Sequence, residues 1–88
     1  MTGFVPITFS AMRLLVYLHK HNNEKFNFTA LKKMQFFSNA NRLNAFLNFC
    51  VARKIIKKTY ERIDGRRNAF YEIKAEWNTF AAYLEELL

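Results

Sequence analysis

The chain has 88 residues, 51% of them hydrophobic and 17% aromatic, which excludes a disordered chain and supplies the core of one domain, residues 1–88. A single cysteine, Cys50, excludes an intrachain disulfide, and the longest apolar run, LLVYL at Leu14–Leu18, is far too short to span a membrane. Fourteen basic residues against seven acidic ones leave a charge of +7, so the expected partner is a polyanion, nucleic acid or an anionic membrane surface.

Only two glycines and one proline signal turns, so the expected class is α+β and mainly helical. The start of the chain lacks the charged-then-apolar order of a signal peptide, which with the lone cysteine predicts a cytoplasmic protein.

Residues 1–7, MTGFVPI, read as an apolar N-terminal arm. Thr8 or Ser10 can cap a first helix that runs to about His21, before Asn22-Asn23. Ala11, Leu14, Leu15 and Leu18 share one face of it, and Phe9, Met12 and Val16 the opposite face. A helix apolar on two faces is either central or shared with a second chain.

Lys25 to Phe28 alternates like a short strand. Thr29 then reads as the cap of a second helix, about Ala30 to Gln35, with Leu31 and Met34 inward and Lys32 and Lys33 outward. Phe36-Phe37 fills a turn, and Ser38 or Asn39 opens a third helix that ends near Arg53. At about 100° per residue, Leu43, Phe46, Leu47, Cys50 and Val51 form its apolar stripe. Ser38, Asn41, Arg42, Ala45, Asn48 and Ala52 lie on the other side, with Asn39 and Asn44 at the flanks. That outward face is polar, short-chained and free of carboxylates, unlike a solvated face with mixed Glu and Lys. Its amides and arginine suit close approach to base edges.

Ile55 to Ile63 and Ala69 to Ile73 read as two strands joined through Asp64-Gly65, where glycine accepts positive φ. A two-residue turn pairs Ile63 with Arg66 and Lys57 with Glu72, whereas a four-residue loop pairs Ile63 with Asn68; both registers fit the sequence. The last helix, about Ala75 to Leu88, carries Trp77, Phe80, Ala81, Leu84 and Leu88 in one stripe, widened by Tyr83 and Leu87. Charge follows this order. Arg42 to Arg67 holds eight basic residues against Glu61 and Asp64, while Ala75 onwards holds three acids and no base.

From Ser10 to Lys74 the chain resembles a winged helix-turn-helix domain, most specifically in RKIIKKTYERIDGRRNAFYEI at Arg53–Ile73. The likeness is to regulators of the MarR, ArsR and PadR type and to small archaeal or viral regulators. It implies a three-helix core over 8–53, a two-stranded wing over 54–74 and an additional C-terminal helix over 75–88. It implies double-stranded DNA as partner, with the third helix in the major groove and the wing on backbone or minor groove. Lys32, Lys33 and Ser38 would then meet phosphate. Asn39, Asn41, Arg42, Asn44, Ala45 and Asn48 would lie along the base edges, and Arg62, Arg66 and Arg67 would serve the wing. Where such domains often carry glycine after the recognition helix, this chain has Arg53-Lys54, so either the helix ends differently or Lys54 turns left-handed.

A homodimer is expected, with Phe9, Met12, Val16, Trp77, Phe80, Tyr83, Leu84 and Leu87 at its interface and a pseudo-palindromic target. A protein–protein module on the same fold is the second reading, and an RNA-binding winged helix, kept open by Tyr60 and Tyr71, the third. No phosphate loop, nucleophile elbow or paired-carboxylate motif occurs, and His19 and His21 are two apart with no ligand spacing around them. Neither an enzyme nor a metal or cofactor site is expected.

Overall fold

Thr8 opens the first helix in the computed structural model, which describes residues 8–88; the arm read at 1–7 lies outside the described residues. The Thr8 Oγ1 accepts from the Ala11 N–H at 3.2 Å and so satisfies one of the free donors at the start of α1 (Phe9–Lys20). A short strand, β1 (Phe26–Asn27), follows. Asn27, not Thr29, caps α2 (Phe28–Lys33), its Oδ1 accepting from the Ala30 N–H at 2.8 Å. Asparagine outranks threonine as a cap, which starts this helix two residues earlier than its sequence signal. Asn39 caps α3 (Ala40–Ala52).

The end of α3 is a Schellman motif built without glycine. Ile55 N–H donates to the Cys50 carbonyl at 2.8 Å and Lys54 N–H to that of Val51 at 3.1 Å, with Lys54 at φ 62°. The helix therefore stops where the glycine-bearing pattern stops it, with lysine in the left-handed position. Ile55 and Ile56 are buried directly after it, which aims the chain into the sheet.

β2 (Ile56–Ile63) and β3 (Arg66–Ile73) pair in the two-residue register, Ile63 opposite Arg66 and Lys57 opposite Glu72. Asp64 and Gly65 have φ of 52° and 76°, the signature of a type I′ turn, whose twist matches that of the strands. β1 adds to the free edge of β3, so the sheet is three-stranded and antiparallel in the order β1-β3-β2, one strand more than the hairpin alone. A 3-10 turn (Ala75–Trp77) leads into α4 (Asn78–Leu87), so the last helix begins three residues later than its apolar stripe indicates.

The fold is α+β, with four α-helices and this one sheet among the described residues, an order compatible with a winged-helix layout. α1 is central. Leu14, Leu15 and Leu18 are within 1% of full burial, and α4 packs along α1 through Ala81 and Leu84, with a Lys20–Glu85 ion pair at 3.1 Å. Each buried leucine contributes about 1.5–3 kcal/mol.

The second face of α1 is thus largely internal. Val16 (7% exposed) and Leu84 (4%) belong to the core and not to a dimer surface. Phe36 and Leu88 flank Val16, and Met12 and Trp77 pack half-buried against the core. Among the residues expected at an interface, Phe9, Phe80, Tyr83 and Leu87 remain exposed.

Candidate nucleic-acid interface

α3 places its amides as its periodicity dictates. Leu43, Phe46, Leu47 and Cys50 are buried, while Asn41, Arg42, Asn44, Ala45 and Asn48 are exposed. Asn39 is the exception. Its Oδ1 accepts from the Arg42 N–H at 2.8 Å, so its amide oxygen is committed to the cap and is withdrawn from the set able to read bases. Ser38 and Lys32 line one shallow cleft between α2 and α3. Arg42 and Ala45 border a second, of about 290 Å³, with Thr8, Ser10 and the tilted, adjoining rings of Phe37 and Phe46. Arg42 therefore sits at the α1 side of the exposed face, and Asn41 and Asn48 along its middle. Lys33 is exposed on the last turn of α2.

The hairpin is two-faced, and the register assigns the faces. Side chains alternate along a strand, so the face that buries Ile56, Tyr71 and Ile73 continues outward as Lys58, Tyr60, Arg62, Arg67 and Ala69. Beyond the core that face holds three cations and no acid. The opposite face carries Lys57, Glu61, Arg66 and Glu72, with Glu61 ion-paired to Lys25 and Glu72 directly across from Lys57. Arg66 and Arg67, adjacent in sequence, thus leave the hairpin on opposite sides.

The acid-free face is organised by an aromatic ring. The Arg67 guanidinium lies 4.0 Å from the centroid of Tyr60, and the Lys58 ammonium 5.5 Å from Tyr60 and 5.7 Å from Tyr71. Hydrogen bonding from Lys58 holds the Tyr60 phenol below its ordinary value, and the same bond raises the Lys58 ammonium. Arg62 Nη1 donates to the Gly65 carbonyl at 3.5 Å. Tyr60 and Lys58 stand on this face beside Arg62 and Arg67, although neither is among the site residues singled out from the sequence. In the two-residue register Tyr60 faces Ala69 and lies diagonal to Arg67 and Tyr71, a placement legible only once the turn length is known.

His19 Nδ1 lies 2.9 Å from Asn78 Oδ1, tying α1 to α4. The His21 ring rests 4.4 Å from that of Tyr17, with Nδ1 3.1 Å from Glu24. Cys50 is fully buried, and burial pushes its thiol up to about 12. No helix of the described residues is long and apolar enough to cross a membrane. Set beside known proteins, the chain matches no family model, no curated protein and no solved structure.

Proposed function

We propose that this chain is a winged helix-turn-helix protein that binds double-stranded DNA and acts as a transcriptional regulator. The observation that carries the reading is a pair of exposed surfaces without a single carboxylate. One is the outward side of α3, with Asn41, Arg42 and Asn48; the other is the inner hairpin face, with Lys58, Arg62 and Arg67. Two of the protein's acids are paired elsewhere, Glu61 with Lys25 and Glu85 with Lys20. Segregation of this kind costs solubility pairing and is accounted for by a polyanion that covers both surfaces. Cations would supply affinity through phosphates, and the amides of α3 would supply selection, an Asn binding adenine bidentately.

Binding-site selection from a random duplex pool, followed by a salt titration on the selected site, tests the reading. The expected result is a defined site and a steep loss of affinity with salt, made shallower by about one unit for each phosphate contact removed. Equal and negligible affinity for all duplexes at low salt would instead favour a protein-binding module.

Two copies would bind together. Phe80, Tyr83 and Leu87 form an exposed apolar strip on α4, and Phe9 is 62% exposed at the start of α1. A two-fold pair reading successive major grooves would hold its α3 helices about 34–36 Å apart.

A further inference from the structure

Resting on the duplex reading above, we propose that Tyr60 is a positioning residue for Arg67, that this pair makes the hairpin select A·T-rich minor groove, and that Arg66 takes no part in the selection.

Three observations combine. First, the strand register puts Arg67 on the face that holds Tyr60 and Lys58, and Arg66 on the other, where its carbonyl accepts from Asn68 Nδ2 at 3.2 Å. Second, the Arg67 guanidinium lies 4.0 Å from the Tyr60 centroid, and the residue directly across from Tyr60 is Ala69, whose methyl group leaves the ring open for it. Third, no carboxylate shares this face beyond the core, so nothing there neutralises the guanidinium.

An exposed arginine ordinarily loses rotamer freedom when it is fixed. Here the ring takes up part of that ordering before any ligand arrives, and the donor edge of a thin planar group is left at the hairpin's rim. The A·T minor groove matches such a group. It is narrow and electronegative, and it shows only the acceptors of adenine N3 and thymine O2, whereas guanine projects an amino group into it. A lysine at this position keeps the charge but has no plane to stack and no fork.

The test uses the intact chain and a duplex selected from the random pool, with the steps flanking the α3 contact rebuilt as A·T, inosine·cytosine or guanine·cytosine pairs. Inosine lacks the guanine amino group, so the comparison isolates minor-groove readout. Wild type is expected to bind the first two alike and the third roughly tenfold more weakly. Tyr60→Phe keeps that preference. Tyr60→Leu and Arg67→Lys lose most of it, while their affinity for the A·T duplex falls only roughly two- to fivefold. Arg66→Ala weakens all three duplexes by one common factor. Arg67 is exposed and outside the core, so Arg67→Lys carries the test even if Tyr60→Leu unfolds the hairpin. Preference intact in Arg67→Lys or in a folded Tyr60→Leu, or lost in Tyr60→Phe or Arg66→Ala, overturns the assignment. Wild-type binding without any A·T preference overturns it while leaving the duplex reading standing; no wild-type binding to any duplex overturns both.

Discussion

Asn39 and Asn48 are the same residue nine positions apart on one helix, and they do opposite work. Asn39 accepts the Arg42 N–H, so Asn39→Ala should cost about 1 kcal/mol of stability, read as a lower denaturant midpoint at unchanged slope. Asn48 is exposed in mid-helix, where alanine is the better helix former. Asn48→Ala should leave the unfolding curve within about 0.5 kcal/mol of wild type. It should also remove roughly 1–3 kcal/mol of discrimination at one base pair in competition binding. Periodicity alone distinguishes Asn41 and Asn48 from the inward stripe, because burial follows the 3.6-residue repeat. It cannot distinguish Asn39 from Ser38 as the cap, since both residue types cap well and only backbone geometry chooses. Cys50 gives a third residue-scale expectation. Its thiol titrates in the fold at about 12 against an ordinary 9.0, so the folded chain holds this proton longer than the unfolded one. Its contribution is complete below pH 9.0 and fades as pH rises towards 12. Alkylation at pH 8 should proceed only at the rate of unfolding and accelerate in denaturant.

Elements reveal their limits at the ends. The α3 terminus places lysine at φ 62°, a conformation that costs a side-chain-bearing residue about 1–2 kcal/mol and glycine nothing comparable. Lys54→Gly should therefore stabilise the chain by about 0.5–1 kcal/mol once the greater backbone entropy of glycine is deducted, raising the melting temperature by a few degrees. Gly65→Ala runs the other way. A Cβ there meets nothing within 4 Å, so the expected loss of about 1 kcal/mol comes wholly from backbone strain at φ 76°. Asp64-Gly65 announces a turn in the sequence but not its length, so the register that separates Arg66 from Arg67 is fixed only by the fold. The first strand shows in the alternation of Lys25 to Phe28, but its place in the sheet does not. Phe26-Asn27 is two residues long, and its partner on β3 lies more than 40 residues away, so no local pattern announces the pairing. The 3-10 start of the last helix is likewise invisible to an apolar stripe, because Trp77 packs on the core although it lies in the 3-10 turn.

At the scale of the whole molecule, positive charge gathers on the hairpin, while the exposed strip of Phe80, Tyr83 and Leu87 lies on α4. Sedimentation should find a reversible dimer in the micromolar range, held through the exposed strip of Phe80, Tyr83 and Leu87. Tyr83→Glu should shift it to monomer without changing the far-ultraviolet spectrum, because Tyr83 is 58% exposed.

That choice of substitution over truncation follows from Leu84 and Ala81. They sit on the turn of α4 directly behind the strip and reach 4% and 0% exposure against α1. Cutting the helix away to obtain a single-copy protein would open the centre of the molecule, so any change in binding that followed would report a collapsed scaffold and say nothing about pairing. Side chains on the outer rim, exchanged one at a time, are the handle that separates association from folding.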